Sequence, residues 1–341
     1  MRIFREAIFK KREILLSIAK AVFVILAAEA AVRAFSLDWR CLERIFYYQG
    51  ADVSSHQVDP DPRILFRLKP GRIRYGDRAE GRFVTINSFG ARGPERQAKK
   101  LPGVSRIVCV GGSNVYGSNV SDEEAWPTRL EDELNRSSPG RFEVWNFGTS
   151  SYVGVQMAAI AREAVEKLEP DLVIYTLSNM GPRAFLRGSP TKPFFDSHPE
   201  LWRELFVPAH LPSPKLLSYK TKLWLLEHIG LYRCYAASII MRRANPWIGL
   251  GGYIDESAEA TRGFLEWSRG RVKTIIFITP GDRQDFAEYY RGFSVPVVRL
   301  DSKGLPDDYR QSHPSARVLA WYAAEMAKSL RDQGIVPQPG G

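Results

Sequence analysis

The stretch Ser105-Arg-Ile-Val-Cys-Val-Gly-Gly-Ser-Asn-Val-Tyr-Gly117 decides the fold. Its short apolar, β-branched run over 106–110 ends in two glycines and a serine. A run of that kind, closed by a glycine turn, reads as a buried strand feeding a tight turn. Outward from it, a helix over 124–135 carries Trp126, Leu130 and Leu134 on one face, and a second strand covers 141–147. A helix over 153–168, strands over 171–177, 273–279 and 295–300, and a final amphipathic helix over 314–330 continue the alternation. Strands alternating with helices imply an α/β fold whose mostly parallel sheet is covered on both faces.

Ligands of such sheets sit beyond the carboxyl ends of the strands. Ser113, Gly148 and Asn179 follow strands and His313 opens the last helix, so all four fall on one sheet edge. Acyl transfer needs an activated hydroxyl, a base to take its proton, and donors aimed at the developing oxyanion. The glycine turn presents the Ser113 hydroxyl and a backbone N–H to the cleft. Asn179 offers an amide donor, although an Asn there serves equally as a turn former. His313, with Pro314 expected at the first helical position, is placed as the base. The turn is not a phosphate-binding loop, because no Lys-Ser/Thr pair follows at the required spacing.

Across the 341 residues, 44% are hydrophobic and 25% charged, as in a globular protein with a real core. That excludes a wholly disordered, collagen-like or polytopic membrane protein. A net charge of +10 suits an anionic partner in general. The basicity is scattered and no recognition motif accompanies it, so nucleic acid is not expected. Three cysteines are too few for a disulfide scaffold. No Cys/His cluster has zinc spacing, so no metal is expected, and no motif calls for another cofactor.

Arg2, Arg5, Lys10, Lys11 and Arg12 precede an apolar stretch over 14–35, long enough for a bilayer core. Lys20, Glu29 and Arg33 interrupt it, the two cations toward opposite ends where they can snorkel. Ala28-Glu29-Ala30 has the small-x-small form of a signal-peptide cleavage site, and an amphipathic helix packed on the domain is a third reading. The favoured one is an uncleaved anchor over 1–36 with its basic end cytoplasmic. The rest of a single-pass chain is then extracytoplasmic, or periplasmic. There Cys41 and Cys234 can pair, whereas Cys109 reads as core strand. Residues 37–103 read as an irregular lead-in with a few short strand-like runs, such as Arg82-Phe-Val-Thr-Ile86, and 104–341 as the α/β domain. A segment over 181–270 interrupts the alternation with Trp202, Trp224, Trp247, Trp267 and a basic amphipathic stretch over 215–243. It is either a lid over the site or a helical addition whose tryptophans are its core.

At these residues the sequence resembles a family. Val110-Gly-Gly-Ser-Asn-Val-Tyr-Gly117, followed by Asp122-Glu-Glu-Ala-Trp-Pro127, resembles the first block of the SGNH (GDSL-type) hydrolases. Asn146-Phe-Gly-Thr-Ser-Ser-Tyr152 through Gln156 is similar to the second block, Asn179 to the third-block asparagine and His313-Pro314-Ser315 to the last block. Ile86-Asn-Ser-Phe-Gly-Ala-Arg-Gly93 resembles a segment that often precedes this domain, and the basic anchor with Glu29 and Arg33 resembles membrane-tethered members. The resemblance implies a flavodoxin-like α/β/α sandwich acting on ester bonds. Ser113 would be the nucleophile, His313 its base, and the Ser113 N–H, a second-block N–H at Gly148 or Ser151, and the Asn179 amide the oxyanion hole.

Three positions depart from the pattern: Gly112 stands for the block's aspartate, Ser151 for its glycine, and Arg310 for the triad acid. Asp307 or Asp308 reaches His313 only if the loop bends back; otherwise the site is a Ser–His dyad. The expected function is a membrane-tethered serine esterase or O-acyl transferase acting on an acylated glycan or lipid. The alternative is a degenerate relative that binds polysaccharide or a protein partner. Nothing in the sequence sets the oligomeric state.

Overall fold

The computed structural model describes residues 2–46, 55–75, 82–136, 138, 140–176, 183, 185–186, 191–206, 211, 217–242, 251–280, 295–306, 308 and 313–338. In chain order these form helices α1 (Arg2–Ala34) and α2 (Leu37–Phe46), then short strands β1 (His56–Val58), β2 (Phe66–Leu68), β3 (Gly71–Tyr75) and β4 (Arg82–Ile86). Strand β5 (Ser105–Gly111), one-turn helix α3 (Ser113–Tyr116), a 3-10 turn (Asp122–Glu124), α4 (Trp126–Asn135), β6 (Phe142–Gly148), α5 (Gly154–Leu168) and β7 (Leu172–Thr176) follow. After them come α6 (Thr191–Ser197), α7 (Leu201–Leu205), α8 (Tyr219–His228), α9 (Gly230–Arg242), α10 (Gly251–Ser268), β8 (Lys273–Ile278), β9 (Val297–Arg299) and α11 (Ala316–Asp332). The chain divides into two compact units: residues 1–46 with 190–250, and residues 47–189 with 251–341.

The larger unit is an α/β sandwich. Its five-stranded sheet has the order β6-β5-β7-β8-β9, with every neighbouring pair parallel. Helices α4 and α11 pack together, as do α5 and α10. Strands covered on both faces must be apolar throughout, and β5 and β7 are buried almost end to end. Helix α11 buries Val318, Leu319, Tyr322, Ala323, Met326, Ala327 and Leu330 in one core with Trp126, Leu130, Phe277 and the strand residues Ile107, Cys109 and Ile174. Counted from β5, the order is 2-1-3-4-5, the flavodoxin-like arrangement, and it reverses direction between β5 and β7. The crevice outside the carboxyl ends of those two strands is therefore the topological switch point, the place where ligands of such sheets bind.

Three sequence expectations are corrected. The lead-in is more regular than expected: Leu37–Phe46 is helical and β1–β2 is an antiparallel ribbon, while the strand-like run over 82–86 is β4, paired antiparallel with β3. The ribbon β1–β2 is tied to α5 and the turn before it, where Tyr152 Oη donates to the Phe66 carbonyl (2.6 Å) and Gln156 Nε2 to that of Ile64 (2.7 Å). The insertion ends near 250 rather than 270, because α10 with Trp267 packs on α5 as a layer of the sandwich. Finally, α11 starts at Ala316, since the Ser315 hydroxyl caps it by accepting the Val318 N–H (3.2 Å), which leaves Pro314 outside the helix.

The smaller unit joins α1 and α2 to α6–α9. Trp39 packs against Phe195 (5.7 Å between centroids) and Trp202 (5.8 Å), while Phe195 and Trp202 lie 4.3 Å apart. Trp202 is thus core for this unit, whereas Trp224 is exposed. Within α1, Lys10–Ala34 is 25 residues long and, by length and composition, apolar enough to cross a membrane. Its Glu29 carboxylate accepts the Gly230 and Leu231 N–H groups (2.8 Å each), and Arg33 donates to the His228 carbonyl. The acid that interrupts the apolar stretch therefore caps the first turn of α9.

Candidate active site

Gly111 and Gly148 sit side by side at the ends of β5 and β6. The turn that follows β5 folds back onto both. A Cβ on Gly111 would stand 1.9 Å from Thr176 Oγ1 and 2.3 Å from Val115 Cγ2, and one on Gly148 only 2.1 Å from the Tyr116 nitrogen. No real side chain tolerates such distances, so glycine at both positions is a packing requirement. The Gly112 carbonyl accepts the Val115 and Tyr116 N–H groups (3.1 and 3.0 Å). That of Ser113 accepts those of Gly117 and Ser118 (2.9 and 3.1 Å), which closes the one-turn helix. Ser113 is the first residue of this helix, so its own N–H belongs to the set that a helix leaves without an internal acceptor.

The carbonyls of the same turn are taken by an arginine from upstream. Arg92 lies in the Ile86–Gly93 segment, where Asn87 Oδ1 accepts the Phe89 and Ala91 N–H groups (3.1 and 3.0 Å). The Arg92 side chain is 1% exposed. Its Nη1 donates to the Tyr116 and Gly117 carbonyls, its Nη2 to that of Val120 (2.7 Å each), and its Nε to Asp122 Oδ1 (2.8 Å). Asp122 Oδ2 in turn accepts the Thr85 N–H (2.9 Å). Neither Arg92 nor Asp122 stood out as a site residue from the sequence; the only signal was that both lie in blocks that resemble the family.

The second block forms the next turn. Its Thr149 N–H donates to the Gly111 carbonyl (3.0 Å), and its Tyr152 N–H to the Thr149 carbonyl (3.2 Å). Between them Ser151 has φ +68°, the left-handed region that favours glycine. The residue that stands for the block's glycine thus keeps a glycine's conformation. Gly148 is different: its N–H donates to Asn146 Oδ1 (2.9 Å), so what it supplies is room for the Ser113 turn and not an oxyanion donor. Ser118 and Ser150 hydroxyls lie 3.2 Å apart across the two turns.

His313 stands two residues before the Ser315 cap of α11, and α11 packs on α4 and on the 3-10 turn downstream of Ser113. Its imidazole is half-buried, and burial alone pulls its pKa below the ordinary histidine value. Among the described residues His313 has no carboxylate partner, and Asp308, the candidate triad acid, is exposed, so the structure does not bring those two together. Asn179, Asp307 and Arg310 lie outside the described residues, as does Trp247.

No family model and no curated protein matches the chain. Solved structures it is similar to include a member of the lipolytic protein G-D-S-L family from Veillonella parvula DSM 2008, at 11% identity and TM-score 0.36, covering 67% of this chain and 100% of that one. A psychrotrophic esterase from Pseudoalteromonas sp. is 11% identical over 68% of this chain and 100% of its own, with TM-score 0.37. An acetylxylan esterase from Geobacillus stearothermophilus, in a catalytic mutant, is 13% identical over 68% and 97%, with TM-score 0.39. The likeness is partial. What the site can do rests on the chain's own residues.

Proposed function

We propose that this chain is a membrane-tethered, extracytoplasmic serine esterase or O-acyl transferase of the SGNH type, acting on an acylated glycan or lipid. The observation that carries the proposal is the Ser113 turn at the switch point of the sheet, with its first-turn N–H groups and its two obligatory glycines. Ser113 Oγ attacks the ester carbonyl carbon while the neutral His313 imidazole takes the hydroxyl proton. Negative charge builds on the carbonyl oxygen, where the Ser113 and Ser151 N–H groups and the Asn179 amide stabilise it. The alcohol departs with the proton from His313, leaving an acyl-serine. Water or an acceptor hydroxyl then attacks the acyl carbon, which distinguishes hydrolysis from transfer. The span Lys10–Ala34 supports the tether. No metal or other cofactor enters these steps.

A second reading is a non-catalytic relative that binds glycan or protein. It is favoured by one finding, that His313 has no carboxylate partner among the described residues. The full chain in detergent micelles, treated with a fluorophosphonate probe, separates the two. Labelling of the wild type that disappears in Ser113→Ala and in His313→Ala is expected, with at least a ~10³-fold loss of esterase turnover in either variant. A folded wild-type chain that takes no label would favour the binding protein.

A further inference from the structure

The smaller unit holds two cysteines for which the proposed chemistry has no use. Cys41 lies on α2 and Cys234 on α9, and these two helices pack along each other. Their register is set by groups other than sulfur. Arg233 donates through Nε and Nη2 to Asp38 Oδ2 (2.8 and 2.5 Å) and through Nη1 to the Leu226 and Glu227 carbonyls (2.6 and 3.0 Å), a pair only 6% and 2% exposed. Gly230 admits the close approach, since a Cβ there would stand 3.0 Å from Val32 Cγ1 and 3.2 Å from Asp38 Oδ2. Glu29 caps the same turn of α9. Cys234 follows Arg233 directly, and Cys41 is three residues beyond Asp38, one helical step on the same face. Both thiols are free and half-buried, and Cys41 is among the groups that act on the Cys234 thiol.

We propose that Cys41 and Cys234 are a disulfide site, closed by exchange with an external disulfide, which staples the helix after the membrane span to the inserted helical segment. This rests on the extracytoplasmic placement in the proposed function, because thiols persist as such in the cytoplasm. The co-reactant is a disulfide donor, RSSR, whether oxidised glutathione or a dithiol oxidoreductase. The Cys41 thiolate attacks one sulfur of the donor and expels RS⁻, which takes up the proton that Cys41 gave up. Cys234, as thiolate, then attacks the Cys41 sulfur, forms the Cys41–Cys234 bond and expels the second RS⁻ as RSH. Two cysteine thiols are oxidised and one donor disulfide is reduced to two thiols. Burial and the neighbouring Cys41 push the Cys234 thiol up, and the same bond forms if the two thiols exchange roles. Once Cys41 is capped as a mixed disulfide, its repulsion on Cys234 is gone and the ring closes.

The bond crosslinks positions far apart in the chain, so it removes more freedom from the unfolded state than a short loop would. Cys109 is fully buried in β5 and serves as the internal control.

The test equilibrates the purified full-length chain in detergent with mixtures of oxidised and reduced glutathione, quenches with acid, then denatures, alkylates and digests it. The expected result is protection of Cys41 and Cys234 together, in one crosslinked peptide pair lighter by two hydrogens, with Cys109 alkylated throughout. Cys41→Ser should leave Cys234 carrying at most a glutathione adduct, and reduction should lower the melting temperature of the wild type alone. Alkylation of Cys41 and Cys234 at the most oxidising ratio, or pairing of either with Cys109, overturns the proposal. Acid trapping of whole cells addresses the placement separately. A pair that closes in the purified chain but is reduced in cells overturns the extracytoplasmic placement and supports the site. Absence of fluorophosphonate labelling with the bond formed counts against the esterase alone.

Discussion

The turn that carries Ser113 is held from three sides. Strands β5 and β6 present glycines to it, the Thr149 N–H ties the second-block turn to Gly111, and Arg92 gathers three carbonyls downstream of the serine. His313 stands in the connection between β9 and α11, steadied by the Ser315 cap, and its imidazole has no ion pair among the described residues. Ser113 and its N–H are thus fixed by the sheet itself, which leaves no room for added bulk at Gly111 or Gly148. His313 depends on one helix end, so its position can be adjusted at little cost to the fold. The largest stability effects should cluster around Ser113, and the changes at His313 should show in pH profiles.

Gly148→Ala presses hardest on this contrast. Its Cβ would meet backbone atoms of Tyr116 and Val115, which cannot swing aside as a flexible side chain would. A loss of about 3 kcal/mol or more in unfolding free energy is expected, together with probe labelling at Ser113. Gly263→Ala in α10, where Arg162 Nη2 at 3.9 Å is the nearest group, should be neutral or stabilise by up to about 1 kcal/mol. Equal melting temperatures for the two variants would show that the turn is not packed as described.

Arg92→Met comes next. It takes the guanidinium donor from three buried carbonyls, of which those of Tyr116 and Gly117 keep only the long bonds from Asn146 Nδ2 (3.5 Å) and the Val120 N–H (3.4 Å), and it leaves Asp122 without its Arg92 ion pair, so a loss of about 3–5 kcal/mol is expected by chemical denaturation. Lys should recover only part of this, because an ammonium cannot span Tyr116, Val120 and Asp122 as the planar fork does. A variant with wild-type stability and a fall in kcat alone would mean that Arg92 acts on the nucleophile and not on the fold.

The sandwich was legible because strands covered on both faces leave continuous apolar runs, as at 106–110 and 172–176. Three-residue strands such as β1 and β2 are too short to leave an alternation, so they read as irregular, whereas the five-residue run of β4 was legible. The end of the insertion was misjudged because the tryptophan of α10 resembles those of α7 and α8, and only packing on α5 assigns it to the sandwich. At the site, Ser113 and Ser151 were readable as a glycine turn and a glycine-like position. Arg92 was not, because its partners are mostly backbone carbonyls, which carry no residue signature. The Gly148 N–H was misassigned for a related reason: its acceptor is Asn146, two residues away in the same block.

The weaker support of His313 has a measurable sign. With burial the only cause acting on it, the imidazole's pKa is lowered, and the folded chain binds fewer protons than the unfolded one between the two values. Stability therefore rises with pH across that window, and the burial cost is fully felt below it. The acid limb of kcat/KM should fall below the ordinary histidine value of about 6.5. A carboxylate partner would raise it instead, so an acid limb at or above about 7 would mean that His313 has an acid beside it after all.

Ser151→Gly is the smallest effect and sharpens the contrast most finely. At φ +68° the serine carries a steric strain of about 1 kcal/mol that glycine does not. Glycine also gives the unfolded chain more freedom, which offsets part of the gain. A net stabilisation of roughly 0–1 kcal/mol is therefore expected, against essentially no change for Ser151→Ala, which keeps the strained backbone. The oxyanion role proposed for Ser151 needs only its N–H, which both variants retain, so kcat should hold within about twofold in each. If both variants lose turnover while keeping their stability, the hydroxyl and not the N–H is what the site uses. The second-block turn would then contribute a side chain to the chemistry, where the Ser113 turn is proposed to contribute both a side chain and a backbone group.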